Sequence, residues 1–286
     1  MTTTPPRASA AGTSPVQAYL EDLLERFRPL RDGEVASYIP ELAKAEPDGF
    51  GIVIATVDGQ VHEVGDSRVP FTIQSVSKPL AYGVALEDQG AARVAQAVGV
   101  EPSGEAFNSI SLEPGTGRPL TPMINAGAIA VASLVGGATP AARLERLLGA
   151  FSAYAGRPLR VDEAVFASER DTGHRNRAIG HLLRNAGILD GDPEPALELY
   201  FRQCSVQVDC RDLALMAATL AGGGVNPVSG ERAVAAAQVP SILSVMATCG
   251  IYDFSGEWVY RVGLPAKSGV GGGILAVLPG QLGIGV

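Results

Sequence analysis

The sequence predicts a mixed α/β (α+β) fold: a sheet with one helical layer, a helical lobe, and a cleft between the two. Three observations predict it. A helical pattern near the N-terminus is followed by two β-branched runs joined by Asp58-Gly59. Residues from about 75 to 250 then read mostly as helices broken by Gly and Pro. From Trp258 to Val286 the pattern returns to short apolar runs separated by Gly-rich turns. Strands on either side of the helical block must pair across it, since each would otherwise carry an unpaired edge.

Taken in order, Pro15 to Leu30 has helical period, with Pro at a first-turn position. A second short helix is expected over Tyr38–Lys44. Phe50–Val57 and Gln60–Val64 flank Asp58-Gly59, which is a hairpin signal. The helical block divides into Lys78–Asp88, Ala91–Val98, Asn125–Leu134, Ala141–Tyr154, Ala178–Ala186, Pro193–Cys204, Cys210–Ala221, Glu231–Ala237 and Val239–Thr248. Strands are expected at 257–262, 273–278 and 282–286. The last is read as a strand at an open edge, so the chain is expected to be cut short there. Residues 1–14 are polar and rich in Pro, Ala and Thr, lack the apolar segment of a secretory signal, and are expected to form a disordered tail.

Composition narrows the function classes. Apolar residues make up 46% and charged residues 18%, which implies a well-buried core. A net charge of −8 without basic runs argues against a nucleic-acid groove or an anionic membrane surface as partner. Cys204, Cys210 and Cys249 have no metal-type spacing, and His62, His174 and His181 stand apart from any cysteine or acid pair. These features predict a cytoplasmic protein with reduced thiols and without structural zinc.

The strongest chemical signal is Ser75 and Lys78 in Phe71-Thr-Ile-Gln-Ser-Val-Ser-Lys78. A serine and a lysine three apart at a helix start share one face. The amine can activate the hydroxyl once burial or a nearby cation lowers its pKa. With 18 Ser and 3 Lys in the chain, chance supplies roughly 0.2 such pairs, so the spacing alone is weak. Lysine usage sharpens it. The chain has 19 Arg, and two of its three lysines stand in Ser-x-x-Lys (Ser75 to Lys78) and Lys-Ser-Gly (Lys267 to Gly269). Arginine cannot act as a base, whereas lysine shifts readily when desolvated.

Longer stretches carry a family resemblance. They are Tyr38-Ile-Pro-Glu-Leu-Ala, Val98 to Ser109, Pro119 to Ala128, Ser168 to Asn176, Tyr200 to Ser205, Cys249-Gly-Ile-Tyr-Asp-Phe-Ser-Gly256 and Ala266-Lys-Ser-Gly-Val-Gly-Gly-Gly273. Together with the Ser-x-x-Lys segment, they make the chain resemble the serine-dependent glutaminases, within the penicillin-recognising serine hydrolases. The resemblance implies a β-lactamase-like antiparallel sheet flanked by helices. It implies a catalytic domain over 15–286 with its helical lobe at about 80–250, and a homo-oligomer, dimer or tetramer. Family members continue past the point where this chain stops, which repeats the expectation of a truncated C-terminus.

The implied reaction is hydrolysis of L-glutamine to L-glutamate and ammonia, without a cofactor. Ser75 is the implied nucleophile and Lys78 its base. Tyr252 is the implied proton shuttle, with Tyr38 close by. Asn125, Glu169, Asn176 and Tyr200 are implied to hold the amino-acid end of the substrate. The N–H groups of Ser75 and Val270 form the implied oxyanion hole, and Lys267 supplies positive field. Taken singly, these residues have plainer readings. Asn125 and Asn176 suit helix N-caps, Glu169 a solvated loop acid, and the tyrosines core or surface aromatics. Only the joint pattern moves them toward function. The alternatives are a penicillin-interacting hydrolase or β-lactamase, disfavoured by the missing Ser-Asp-Asn element and signal peptide, and a non-catalytic relative, disfavoured by the presence of both Ser75 and Lys78.

Overall fold

A computed structural model describes residues 14–104 and 112–286. The tail expected before residue 14, and the 105–109 part of the Val98–Ser109 stretch, lie outside the described residues. Helix α1 (Pro15–Phe27) leads through an irregular segment to the hairpin β1 (Gly51–Thr56) and β2 (Val61–Gly65). A short strand β3 (Phe71–Thr72) and a single 3-10 turn (Gln74–Ser77) then run into α2 (Lys78–Ala97). The helical lobe continues with α3 (Asn125–Leu134), α4 (Pro140–Ala155), α5 (Glu163–Thr172), α6 (His174–Asn185) and α7 (Glu194–Cys204). After β4 (Gln207–Val208) come α8 (Cys210–Ala221), α9 (Val239–Cys249) and α10 (Ser255–Arg261). The chain ends in β5 (Ala266–Ser268), β6 (Ile274–Leu278) and β7 (Leu282–Gly285). Among the described residues no helix is long and apolar enough to cross a membrane.

The main sheet has the order β2-β1-β7-β6-β5, with every pair antiparallel. Early and late strands therefore do pair across the helical block. One expectation is corrected: β7 is not an edge. Its residues pair with β1 on one side and β6 on the other. Such pairing joins segments more than 200 residues apart, and no local pattern encodes it.

Alternation along β1 sorts its side chains between two layers. Ile52 packs with Leu20 and Val64 on the α1 side, while Val53 and Ala55 pack with Ala214 and Ala218 of α8. Helices thus cover both faces of the sheet, where one helical layer was expected. The approach of α8 to the sheet needs glycine: a Cβ on Gly283 or Gly285 of β7 would collide with the α8 backbone at Ala218 and Cys210. We expect Gly283→Ala to lower stability by about 2 kcal/mol, an overpacking penalty, read from the shift in denaturation midpoint. Helix α8 is fixed at its start by a reciprocal capping box, Asp212 N–H to Asp209 and Asp209 N–H to Asp212, each 2.9 Å. In the lobe, α3 is buried on nearly every side, which suits its run of Ala, Gly, Ile and Val.

Several expected elements shift. The expected strand at 257–262 falls largely within a helix, Ser255–Arg261, and Glu257 and Arg261 pair one turn apart in α10. Residues 231–235 form no helix. Asn226 accepts from Val228 N and Ser229 N, and its own N–H bonds Glu231 O, so the segment turns back on itself. Only a 3-10 turn, Ala236–Gln238, follows. The expected helix at 38–44 shrinks to a 3-10 turn at Leu42–Lys44. Helix α5 was not foreseen, although Asp162 caps it by accepting from Ala164 N and Val165 N. The two helices expected at 78–88 and 91–98 form one element broken at Gly90, whose φ of +75° interrupts it.

Candidate active site

The 3-10 turn Gln74–Ser77 meets the lobe and the end of β5 at a cavity of about 260 Å³. Ser75, Asn125, Glu169, Asn176, Tyr200, Tyr38 and Val270 all line it. Seven of the residues singled out in the sequence thus share one space, although they come from six separate segments. The remaining three, Lys78, Tyr252 and Lys267, sit just behind it. A larger cavity of about 530 Å³ lies under residues 30–49 and shares only Val270 with this group. It holds none of the other candidate residues, so size does not decide which cavity carries chemistry.

Ser75 is nearly buried, and its carbonyl accepts the N–H of Lys78, so the two residues are one turn apart as the spacing required. The Lys78 amine is fully buried. It donates to Asn125 Oδ1 at 2.8 Å and to Met123 O at 3.2 Å. Burial pushes its pKa down to about 8, against an opposing pull from Cys204 and Glu169. The Ser75 hydroxyl acts on the neighbouring Tyr252 phenol. Two amines approach the aromatic ring of Tyr252, Lys267 Nζ at 3.9 Å and Lys78 Nζ at 5.6 Å from its centroid. Burial raises the Tyr252 phenol above its usual range, and the nearby Ser75 hydroxyl pulls the other way.

Lys267 is buried and donates to Gly250 O at 2.7 Å and Ser268 O at 2.8 Å. Its amine is held well below the usual lysine range by burial and then by repulsion from Lys78. By gripping Gly250, it ties β5 to the turn that carries Tyr252. That turn is strained. Tyr252 has φ +58° and Gln74 has φ +48°, and among the described residues these are the only non-glycine residues with positive φ. Each such residue costs on the order of 1–3 kcal/mol, and both adjoin Ser75.

At the far end of the cavity, Tyr38 O–H donates to Glu169 Oε1 at 2.8 Å and lies 3.1 Å from Gln74 Oε1. Tyr38 therefore meets the acid and not the Ser75–Tyr252 pair. Glu169 is buried on α5, so the solvated-acid reading fails; burial raises its pKa, with Tyr38, Gln74 and Lys78 opposing. Asn125 is the first residue of α3, with Ile124 at the cap position. Its Nδ2 donates to Asn176 Oδ1 at 3.2 Å, and Asn176 lies inside α6. Neither asparagine is an N-cap. Tyr200 is buried, and burial lifts its phenol well above the usual range.

The segment after β5 passes alongside the serine. A Cβ on Gly269 would come within 3.4 Å of Ser75 N and 3.1 Å of Ile73 O. Gly269 N–H bonds Gly273 O at 2.9 Å, which closes the turn that presents Val270 to the cavity. Among the described residues, neither the Ser75 nor the Val270 N–H has a hydrogen-bond acceptor. Residues that the sequence did not single out also line the space, among them Gln74, Arg175 and Cys204. All three lie within the quoted motifs, Gln74 next to Ser75, Arg175 next to Asn176 and Cys204 one turn from Tyr200. The Cys204 thiol is pushed up to about 12, chiefly by burial, so it stays protonated.

Strand order, lobe and site together define a β-lactamase-like fold with a buried Ser/Lys/Tyr cluster. The family model for glutaminase matches residues 33–286. A glutaminase of Trichormus variabilis is 58% identical over 273 residues, covering 96% of this chain and 82% of that protein. Glutaminase 1 of Bradyrhizobium diazoefficiens is 54% identical over 99% of this chain, which spans only 46% of that longer protein. Among solved structures, Mglu in its native form superposes with a TM-score of 0.91 at 47% identity, over 95% of this chain and 66% of that one. The probable glutaminase ybaS gives a TM-score of 0.91 at 44% identity, over 94% of this chain and 88% of that one. The chain belongs to the glutaminase family, whose reaction converts glutamine to glutamate.

Proposed function

We propose that this chain hydrolyses the side-chain amide of L-glutamine through a γ-glutamyl ester on Ser75. The observation that carries the reading is a buried Lys78, its pKa lowered to about 8, one turn from Ser75 and beside the Tyr252 ring. Two candidate bases flank the serine, and their titration separates them. The Tyr252 phenol is raised, so it stays protonated and can only relay. A neutral Lys78 has two N–H bonds, which Asn125 Oδ1 and Met123 O accept, leaving its lone pair free. Lys78 is therefore the base.

Lys78 draws the proton from Ser75, directly or through the Tyr252 hydroxyl, as the serine oxygen attacks the amide carbon. The resulting oxyanion takes hydrogen bonds from the Ser75 and Val270 N–H groups. Tyr252 passes a proton to the departing nitrogen, ammonia leaves, and water hydrolyses the ester by the reverse route. Lys267 holds the Tyr252 turn against β5 through its bond to Gly250 O. Glu169, Asn125, Asn176 and Tyr200 hold the ammonium and carboxylate of the substrate, and Tyr38 orients Glu169. One structural neighbour, Mglu, was solved in a glutamate form. Self-association and a cytoplasmic location belong to the same reading and rest on the family resemblance; light scattering and cell fractionation test them.

Glu169 supplies the test of the binding half. Buried, with its pKa raised by burial, it is the acid that lines the cavity where an ammonium would sit. Glu169→Gln is expected to raise KM for glutamine about 100-fold, the cost of leaving a buried charge unpaired, with a smaller change in kcat. An unchanged KM removes Glu169 from the ammonium site.

A further inference from the structure

We propose that Ser77 and Gln203 are positioning residues that aim and strengthen the Ser75 N–H from behind. The inference rests on the reading of that N–H as an oxyanion donor. Ser77 Oγ donates to Gln74 O at 2.6 Å and accepts from Gln203 Nε2 at 3.0 Å. Both side chains are completely buried. Gln74 O and Ser75 N–H belong to one peptide unit. That unit is planar and trans, so its carbonyl and N–H point in opposite directions. Holding the carbonyl in the core therefore holds the N–H toward the cavity.

The same bonds act electronically. A hydrogen bond accepted at a peptide carbonyl polarises the unit and makes its N–H a stronger donor, and the Gln203–Ser77 chain extends that polarisation. The arrangement also explains how Gln74 keeps its φ of +48°, a backbone state that glutamine does not favour. Packing does not explain Gln203. Its Oε1 is buried without a partner among the described residues, so an apolar side chain would serve the core better. What Gln203 supplies is the NH₂ that Ser77 needs, because the one hydroxyl proton of Ser77 is committed to Gln74.

The test is steady-state kinetics on Ser77→Ala, Gln203→Leu and the double variant, with L-glutamate affinity and thermal midpoint measured beside them. Removing an oxyanion donor outright costs about 100- to 1000-fold in kcat, and losing its alignment costs less. Ser77→Ala should lower kcat about 10- to 100-fold, with KM and glutamate affinity within about twofold of wild type. Gln203→Leu should lower kcat by a smaller factor, and the double variant should match Ser77→Ala, since both residues act along one path. If Ser77→Ala does not fold, Gln203→Leu carries the same test. Wild-type kcat in the folded single variants, beside an inactive Ser75→Ala, overturns the relay and leaves the nucleophile standing. An additive double variant, or changes in KM and glutamate affinity as large as those in kcat, also overturns it. An active Ser75→Ala overturns the nucleophile reading itself and the relay with it.

Discussion

Ser75→Ala is expected to reduce ammonia release from glutamine by about four orders of magnitude, while the protein stays folded. The size follows from the position of the serine. Its side chain adjoins Tyr252, and its backbone N–H lies against the turn at Gly269. Cys204 lines the same cavity, but burial pushes its thiol up to about 12 and leaves almost no thiolate near neutrality. The structural cost of the change is small. One hydrogen bond is lost, about 1 kcal/mol, and the turn keeps its backbone bonds. Circular dichroism and L-glutamate affinity should match wild type, which separates lost chemistry from lost fold. Turnover within tenfold of wild type would show that the ester does not form on Ser75.

Lys78→Arg is expected to cost about a thousandfold in kcat, despite retaining the charge. Arginine cannot give up its proton within a protein, so it cannot act as a base. Its larger planar head must also fit where a small amine bonds Met123 O and Asn125 Oδ1. Lys78→Met separates these effects, because it keeps the length and removes the amine; a similar loss assigns the defect to chemistry. The pH profile gives the sign. With the Lys78 pKa lowered to about 8, the amine is mostly protonated below that pH and neutral above it. The kcat/KM of wild type should therefore rise with pH through about 8, and this limb should vanish in Lys78→Met. A profile that falls through this range, or an unchanged limb in the variant, removes Lys78 as the base.

Local sequence signals picked out residues that share one cavity better than they predicted the elements around them. Asn125–Leu134 and Cys210–Ala221 form as the pattern predicts, because each has a strong apolar run, and the second begins at a capping box. The expected strand at 257–262 falls largely within a helix. Trp258-Val-Tyr-Arg-Val carries β-branched and aromatic residues, yet Glu257 and Arg261 bridge one turn, and tertiary context outweighs propensity. The central place of β7 was not legible, since it depends on pairing between the two ends of the chain. Within the site, residue types carried the roles and the fold carried the pairings. Nothing local joins Tyr38 to Glu169, which lie 131 residues apart. The same holds for the strain at Gln74. Glutamine is not a residue that signals positive φ, so the turn that aims the Ser75 N–H is invisible until the buried bonds of Ser77 are seen.

Rapid acid quench of the protein mixed with glutamine, followed by mass analysis of its peptides, addresses the covalent step itself. One γ-glutamyl mass increment is expected on the peptide carrying Ser75, formed before steady state and absent from Ser75→Ala. Full turnover with no increment on that peptide, at quench times shorter than one catalytic cycle, would contradict an ester on Ser75.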